Sequence, residues 1–301
     1  MDYSELLDAT IDHLEEQQAR GQRYVDVADA TLEALNRPVH SPEAPARQQN
    51  TERERPGATR PSSRVGFQPA PVPPPEVPKV DLFVYDRSKP LSREEKENAM
   101  ADLRSRAMQC VKCDQLVRSR QNVVFGVGNI HTDLMFIGEA PGMDEDQAGE
   151  PFVGKAGQLL NKVLQTMGLQ RENIYIGNVL KCRPDTPGQR YGNRKPTPTE
   201  MNTCLPYLQA QIDIIRPKVI VCLGGTAVEG LFGKAQTGIM KLRGNWMTFR
   251  DIPTMPTYHP SYLLRNQAIT EKRKLWEDML QVMERLEISV TDKHRGFFLK
   301  G

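Results

Sequence analysis

Short, wholly apolar runs that alternate with helix-period segments constrain this chain more than any other feature. Leu134–Gly138 (LMFIG) and Val219–Leu223 (VIVCL) are too short for helices and show no polar face, so they read as buried strands. Ile174–Val179 and Thr254–Tyr258 supply two further strand segments. Between these lie Ala156–Met167, with Leu159, Leu160, Val163, Leu164 and Met167 on one side, and then Gly225–Phe232 and Thr270–Leu286. Thr197-Pro198-Thr199-Glu200 joins a capping box to a proline at the first helical position, so a helix follows to Ile215. Strands separated by helices call for a parallel sheet covered on both faces. The expected fold is therefore α/β, a three-layer α/β/α arrangement with a central, mainly parallel sheet of about four strands. Ligands of such sheets sit at the carboxyl ends of the strands. That rule singles out Gly138–Asp146, Asn178–Arg183 and His259–Arg265.

The rest of the chain divides by composition. Eleven of the 23 prolines fall between Pro38 and Pro78, a segment too poor in apolar surface to offset chain entropy. The reading is an acidic helical segment over residues 1–37, a proline-rich disordered linker over 38–91, a folded domain over 92–290 that carries the motifs below and a flexible tail over 291–301. Ser92 and Glu95 have capping-box spacing and open the folded body. The net charge of +2 hides an asymmetry: residues 1–37 carry nine acids and three arginines, so the remainder carries +8. A basic body permits a nucleic-acid partner. No run of 18 apolar residues reads as a membrane span, and the polar start MDYSE has no apolar signal core, so a cytoplasmic location is expected. In that reducing compartment, five cysteines point to metal, cluster or core roles rather than disulfides.

Five constellations carry chemistry. Gly138-Glu139-Ala140-Pro141-Gly142-Met143-Asp144-Glu145-Asp146 crowds four carboxylates into a glycine-rich turn at a strand end, where backbone N–H groups can approach a ligand and a carboxylate can orient water. Phe152, in PFVGKAG, can stack on a planar ring. Asn178, near the end of a strand, both donates and accepts, which suits reading the edge of a base. His259 can polarise a carbonyl, and the loop beyond it offers Leu263 and Leu264 as an apolar wedge with Arg265 on phosphate. Cys110 and Cys113 form C-x2-C, Cys182 follows after 68 intervening residues and Cys204 after another 21. Four thiolates of this kind hold zinc or an iron–sulfur cluster, and spacing alone does not choose. Cys222, inside VIVCL, reads as a core thiol.

The order of these motifs resembles the family-four, iron–sulfur uracil-DNA glycosylases. The likeness is carried by the C-x2-C pair, VVFGVGN (Val123–Asn129), LMFIGEAPGMDED (Leu134–Asp146), GEPFVGKAG (Gly149–Gly157), GNVLKCRP (Gly177–Pro184) and HPSYLLR (His259–Arg265). The resemblance implies a 4Fe-4S cluster on Cys110, Cys113, Cys182 and Cys204, and hydrolysis of the bond between a flipped-out uracil and its deoxyribose, which starts base excision repair. It implies that Phe152 stacks on uracil, that Asn178 pairs with N3–H and O4, and that His259 bonds O2. Backbone groups from Gly138, Ala140 and Gly142 would line the pocket. Arg183, Ser261, Leu263, Leu264 and Arg265 would hold DNA. Ala140 stands where related branches carry an aspartate, which leaves Glu139 and Glu145, ahead of Asp146, to activate water. A related branch links covalently to DNA through a histidine, but Arg183–Cys204 contains none, so turnover is expected.

Lys79-Val80-Asp81-Leu82-Phe83, in the linker directly after Pro78, is similar to short peptides that dock on bacterial sliding clamps. A competing expectation is a non-catalytic iron–sulfur DNA-binding protein of the same fold, and another is a zinc-stabilised hydrolase.

Overall fold

The computed structural model describes residues 89–186, 192–233 and 238–299. The acidic segment 1–37, nearly all of the linker and the Lys79–Phe83 peptide lie outside these residues. The body opens with α1 (Arg93–Met108), capped by Ser92, whose hydroxyl accepts Glu95 N–H while the Glu95 carboxylate accepts Ser92 N–H. After α2 (Asp114–Ser119) come β1 (Val127–Gly128), β2 (Leu134–Gly138), α3 (Met143–Ala148), α4 (Lys155–Thr166) and β3 (Tyr175–Asn178). Then follow α5 (Pro198–Ile215), β4 (Val219–Leu223), α6 (Gly225–Phe232), α7 (Ile239–Leu242), β5 (Met247–Phe249) and β6 (Ile252–Thr257). The chain ends with α8 (Pro260–Arg265), α9 (Ile269–Arg285) and α10 (Asp292–Gly296).

The sheet order is β1-β3-β2-β4-β6-β5. Its four central strands are parallel and are the four read from the sequence. Two short antiparallel strands, β1 and β5, extend the edges. Period-two alternation divides each central strand between two cores. Met135, Ile137, Ile220 and Cys222 face one cluster, together with α1, α5 and α6 residues such as Leu103, Leu208 and Val228. Leu134, Phe136, Val219 and Val221 face the other, with Leu160 and Leu164 of α4 and Trp276 and Met279 of α9. These clusters make the three layers, and Cys222 is the core thiol expected. The chain leaves β2 towards β3 on one side and returns to β4 on the other, so a crevice opens at the carboxyl ends. Among the described residues no helix is long and apolar enough to cross a membrane.

Two expectations are corrected. The segment after Tyr258 is not a loop: His259 caps α8, with Pro260 at its first position. The tail from residue 291 is ordered through residue 299. Trp276 Nε1 donates to His294 O at 2.7 Å, Arg273 holds the carbonyls of Arg295 and Phe297, and Phe297 packs edge-on to Trp276. The cause is a buried indole whose N–H needs an acceptor. Deleting residues 291–301 is expected to destabilise the fold by roughly 2 kcal/mol, the scale of uncovering one large side chain. Denaturant unfolding of full-length and truncated protein checks this, and equal stabilities would show that the tail is not docked.

Candidate active site and four-cysteine site

A cleft of about 740 Å³ lies at the carboxyl ends of β2, β3, β4 and β6. It gathers Glu139, Ala140, Gly142, Glu145, Phe152, Asn178, His259, Ser261 and Arg265, nine of the residues expected from the sequence. At its floor Asn178 is 2% exposed, and its Oδ1 is buried with no hydrogen-bond partner. Such an unpaired acceptor costs about 1–3 kcal/mol. Gly138, opposite Asn178 in the β2–β3 pair, lies beneath the cleft rather than on its wall. A Cβ there would come within 2.4 Å of Asn178 Oδ1 and 2.6 Å of the Phe152 ring, so glycine keeps both side chains in place.

Phe152 is buried against the cleft, its ring centroid 5.6 Å from that of His259. Its backbone is left-handed, with φ 55°, a conformation that disfavours a bulky residue. Neighbours on both sides hold it there. Arg171 donates to Phe152 O at 3.0 Å and Pro151 O at 2.7 Å. Glu145 Oε1 accepts from Val153 N and Gly154 N, and Oε2 from Gly142 N, all at 3.0 Å. A carboxylate accepting three backbone N–H groups is a clamp between two loops, which removes Glu145 as the water-activating base. Asp146 is likewise committed, to the N–H groups of Gln121 and Asn122. Glu139 is half-buried, lines the cleft, and its carboxylate has no hydrogen bond among the described residues.

The α8 turn sets the state of His259. Its Nδ1 accepts Ser261 N–H at 3.1 Å, with Ser261 Oγ at 2.8 Å. An Nδ1 that accepts from an amide carries no proton, so the neutral ring holds its proton on Nε2. Burial, assisted by Arg265, lowers the pKa from 6.5 to about 4. The ring is thus neutral at neutral pH, with its Nε2–H donor in place, and only as pH falls through about 4 does Nδ1 take a proton and cease to accept Ser261 N–H.

A family model, the Uracil DNA glycosylase superfamily, matches residues 125–280. The type-4 uracil-DNA glycosylase of Thermotoga maritima is 44% identical over 187 residues, 61% of this chain and 93% of that protein. That of Archaeoglobus fulgidus is 42% identical over 181 residues, 58% and 87% of the two chains. That of Sulfurisphaera tokodaii is 37% identical over 212 residues, 68% and 92%. The chain belongs to the uracil-DNA glycosylase superfamily, on its type-4 branch.

The glycosylase presents its remaining expected contacts unequally. Leu263 is 4% exposed and sits in the α9-side core, whereas Leu264 is 38% exposed. Adjacent helical residues point about 100° apart, so both cannot form a wedge. Leu263 is therefore corrected to a core residue. The Arg183 guanidinium is bound by Asn193 Oδ1 at 2.7 Å and Gly192 O at 3.0 Å, and shapes its own loop. Sequence reasoning missed Arg171 and the exposed Met240, which lines the cleft on α7 across from α8.

The four cysteines of the glycosylase, distant in sequence, line one small pocket with Leu116, Leu180, Arg120, Glu200 and Thr203. Among the described residues no three His, Cys, Asp or Glu side chains stand close enough to hold a single metal ion. Two N–H groups already point at sulfur: Arg120 Nη1 to Cys182 at 3.1 Å and Lys181 N to Cys204 at 3.2 Å. Burial raises the Cys113 thiol to about 11 and Cys204 to about 12, with the other thiols adding like-charge repulsion. A positively charged metal centre relieves both effects, and N–H donors aimed at sulfur are what thiolates bound to iron accept. The donor set fits an iron–sulfur cluster.

Two outcomes follow for the cleft. In ¹⁵N NMR, His259 is expected to stay the Nε2–H tautomer from neutral pH down to about 5, and titration near 6.5 would contradict its burial. Gly157→Ala would place a Cβ 1.7 Å from Phe152 O, so excision is expected to fall about 10²-fold as the ring is displaced. Wild-type single-turnover rates would show that the Phe152 position is unimportant.

Proposed function

We propose that the cleft hydrolyses the N-glycosidic bond of a uracil flipped out of DNA and leaves an abasic site, with the following residue roles. The observation that carries the reading is Asn178 Oδ1, a buried acceptor without a donor on the floor of a cleft at a strand end. Uracil N3–H would satisfy it, while the Asn178 amide N–H donates to O4. Cytosine offers an acceptor at N3 and a donor at C4, so both contacts become mismatched. A buried hydrogen-bond mismatch of this kind is worth about 10⁴-fold in selectivity. Phe152 stacks on the ring, and its held backbone means that no ordering is needed when the base arrives.

As the glycosidic bond lengthens, negative charge gathers on the departing base. The neutral His259 Nε2–H donates to O2 and stabilises it, a contribution of about 3 kcal/mol for one well-placed donor. The sugar becomes cation-like and needs only a weak nucleophile. Glu139, the uncommitted carboxylate of the cleft, orients that water and takes its proton. Ser261, Leu264 and Arg265 contact the DNA around the flipped nucleotide, with Leu264 filling the vacated stack. No histidine lies between Arg183 and Cys204, so the enzyme turns over without a covalent protein–DNA link.

Cys110, Cys113, Cys182 and Cys204 hold a 4Fe-4S cluster. When bound, it supplies iron–thiolate bonds that tie α2 and the segment after β3 to α5. The cytoplasm, which holds DNA and keeps thiols reduced, is the fitting compartment.

A labelled oligonucleotide with one uracil, opposite guanine, opposite adenine or single-stranded, followed by alkaline cleavage, tests the activity. Scission at uracil is expected, with Asn178→Ala and His259→Ala each about 10²-fold slower. Absence of scission in all three contexts would overturn the reading. Protein purified under anaerobic conditions is expected to be brown with about four irons per chain. A colourless protein bearing zinc would refute the cluster.

A further inference from the structure

We propose that Lys181 is a positioning residue that joins the four-cysteine site to Asn178 and fixes the base-reading side chain from behind. The inference rests on the reading of Asn178 given above. Lys181 is 2% exposed, unusual for a lysine, and lies between Asn178 and Cys182 in GNVLKC. Its Nζ donates to Asn178 O at 2.9 Å and to Gln211 Oε1 at 2.7 Å, and lies 5.9 Å from the centroid of the Phe125 ring. No carboxylate contacts this amine among its hydrogen-bond partners, so its role is not that of an ordinary ion pair.

The partners are themselves fixed. Gln211, fully buried on α5, donates through Nε2 to Phe125 O at 2.9 Å and to Tyr175 Oη at 2.8 Å. Tyr175 opens β3, the strand that ends in Asn178. The network therefore runs from the start of β3 through α5 to the carbonyl at the end of β3. The backbone of Lys181 is held at the other end: its N–H donates to Cys204 Sγ, and its carbonyl accepts Val124 N–H at 2.8 Å. One residue thus spans from a cysteine sulfur to the main chain of the base reader. Asn178 sits at the last register position of β3; Val179 N–H and Leu180 N–H still bond Gly138 O and Glu139 O beyond it, while the Asn178 carbonyl takes its hydrogen bond from the Lys181 amine. That amine bond limits how far the side chain can swing from the uracil edge. Misplacement by about 1 Å is enough to cost orders of magnitude in rate.

A residue that acts only through Asn178 has no further effect once the Asn178 amide is gone, and a double-mutant cycle reads this directly. Single-turnover excision is measured for wild type, Lys181→Met, Asn178→Ala and the double variant. Iron content and DNA affinity are followed alongside. Lys181→Met is expected to slow the chemical step about 10-fold, with iron content and the Kd for DNA unchanged, and the double variant to be no slower than Asn178→Ala. If Lys181→Met does not fold, the same cycle is run with Gln211→Met, which frees the amine from its buried acceptor, and the same non-additivity is expected. Additive losses, or a wild-type rate for whichever lysine or glutamine variant folds, would overturn the proposal. A wild-type rate for Asn178→Ala alone would instead overturn the reading of Asn178, so the two failures are distinguishable.

Discussion

At the carboxyl edge of the sheet, Gly138 and Asn178 face one another, and the space left by the missing Cβ decides the geometry of the site. Into that space come the Asn178 amide from one side and the Phe152 ring from the other. Neither placement is favourable by itself: one leaves a buried acceptor unpaired and the other holds a phenylalanine at positive φ. The surrounding structure holds both. Glu145 and Arg171 grip the Phe152 loop from opposite flanks, and the parallel ladder with Val179 N–H on Gly138 O fixes the end of β3. The cleft is preorganised in this sense, with its stabilising contacts outside the pocket and its uncompensated groups inside.

Electrostatics follow the same pattern. The cleft holds two carboxylates, Glu139 and the clamped Glu145, and a histidine kept neutral by burial, the state that its proposed role as a donor to the departing base requires. The Nε2–H tautomer is set by a helix cap, so the short α8 fixes the state of the ring. That same helix turns Leu264 outwards and Leu263 inwards, dividing one dipeptide between the surface and the core.

Much of this was legible in the sequence because the central strands are buried on both faces and so carry no polar interruption. LMFIG and VIVCL begin and end where the structure has them. The edge strands β1 and β5, of two and three residues, have only one neighbour each and show no such pattern. The helix α8 left a readable signal, a proline one residue after a capping histidine, yet its mix of serine, tyrosine, leucine and arginine resembles a loop. The acidic first turn of α3 is likewise a helix start, hidden by a reading of its carboxylates as site groups. Glu145 could not be distinguished from Glu139 by sequence, because two of the three amides that occupy it lie eight and nine residues away. The four cysteines could be grouped from the sequence, which left zinc and an iron–sulfur cluster open, but only the fold brings them to one pocket.

The central claim is that the amide of Asn178 selects the base by its donor and acceptor order. The most direct measurement is single-turnover excision by Asn178→Asp from oligonucleotides carrying one uracil or one cytosine. A buried carboxyl, protonated by its surroundings, offers a donor to cytosine N3 and an acceptor to its amino group. Uracil excision is expected to fall and cytosine excision to become measurable. Undiminished excision of uracil, with none of cytosine, would contradict the claim.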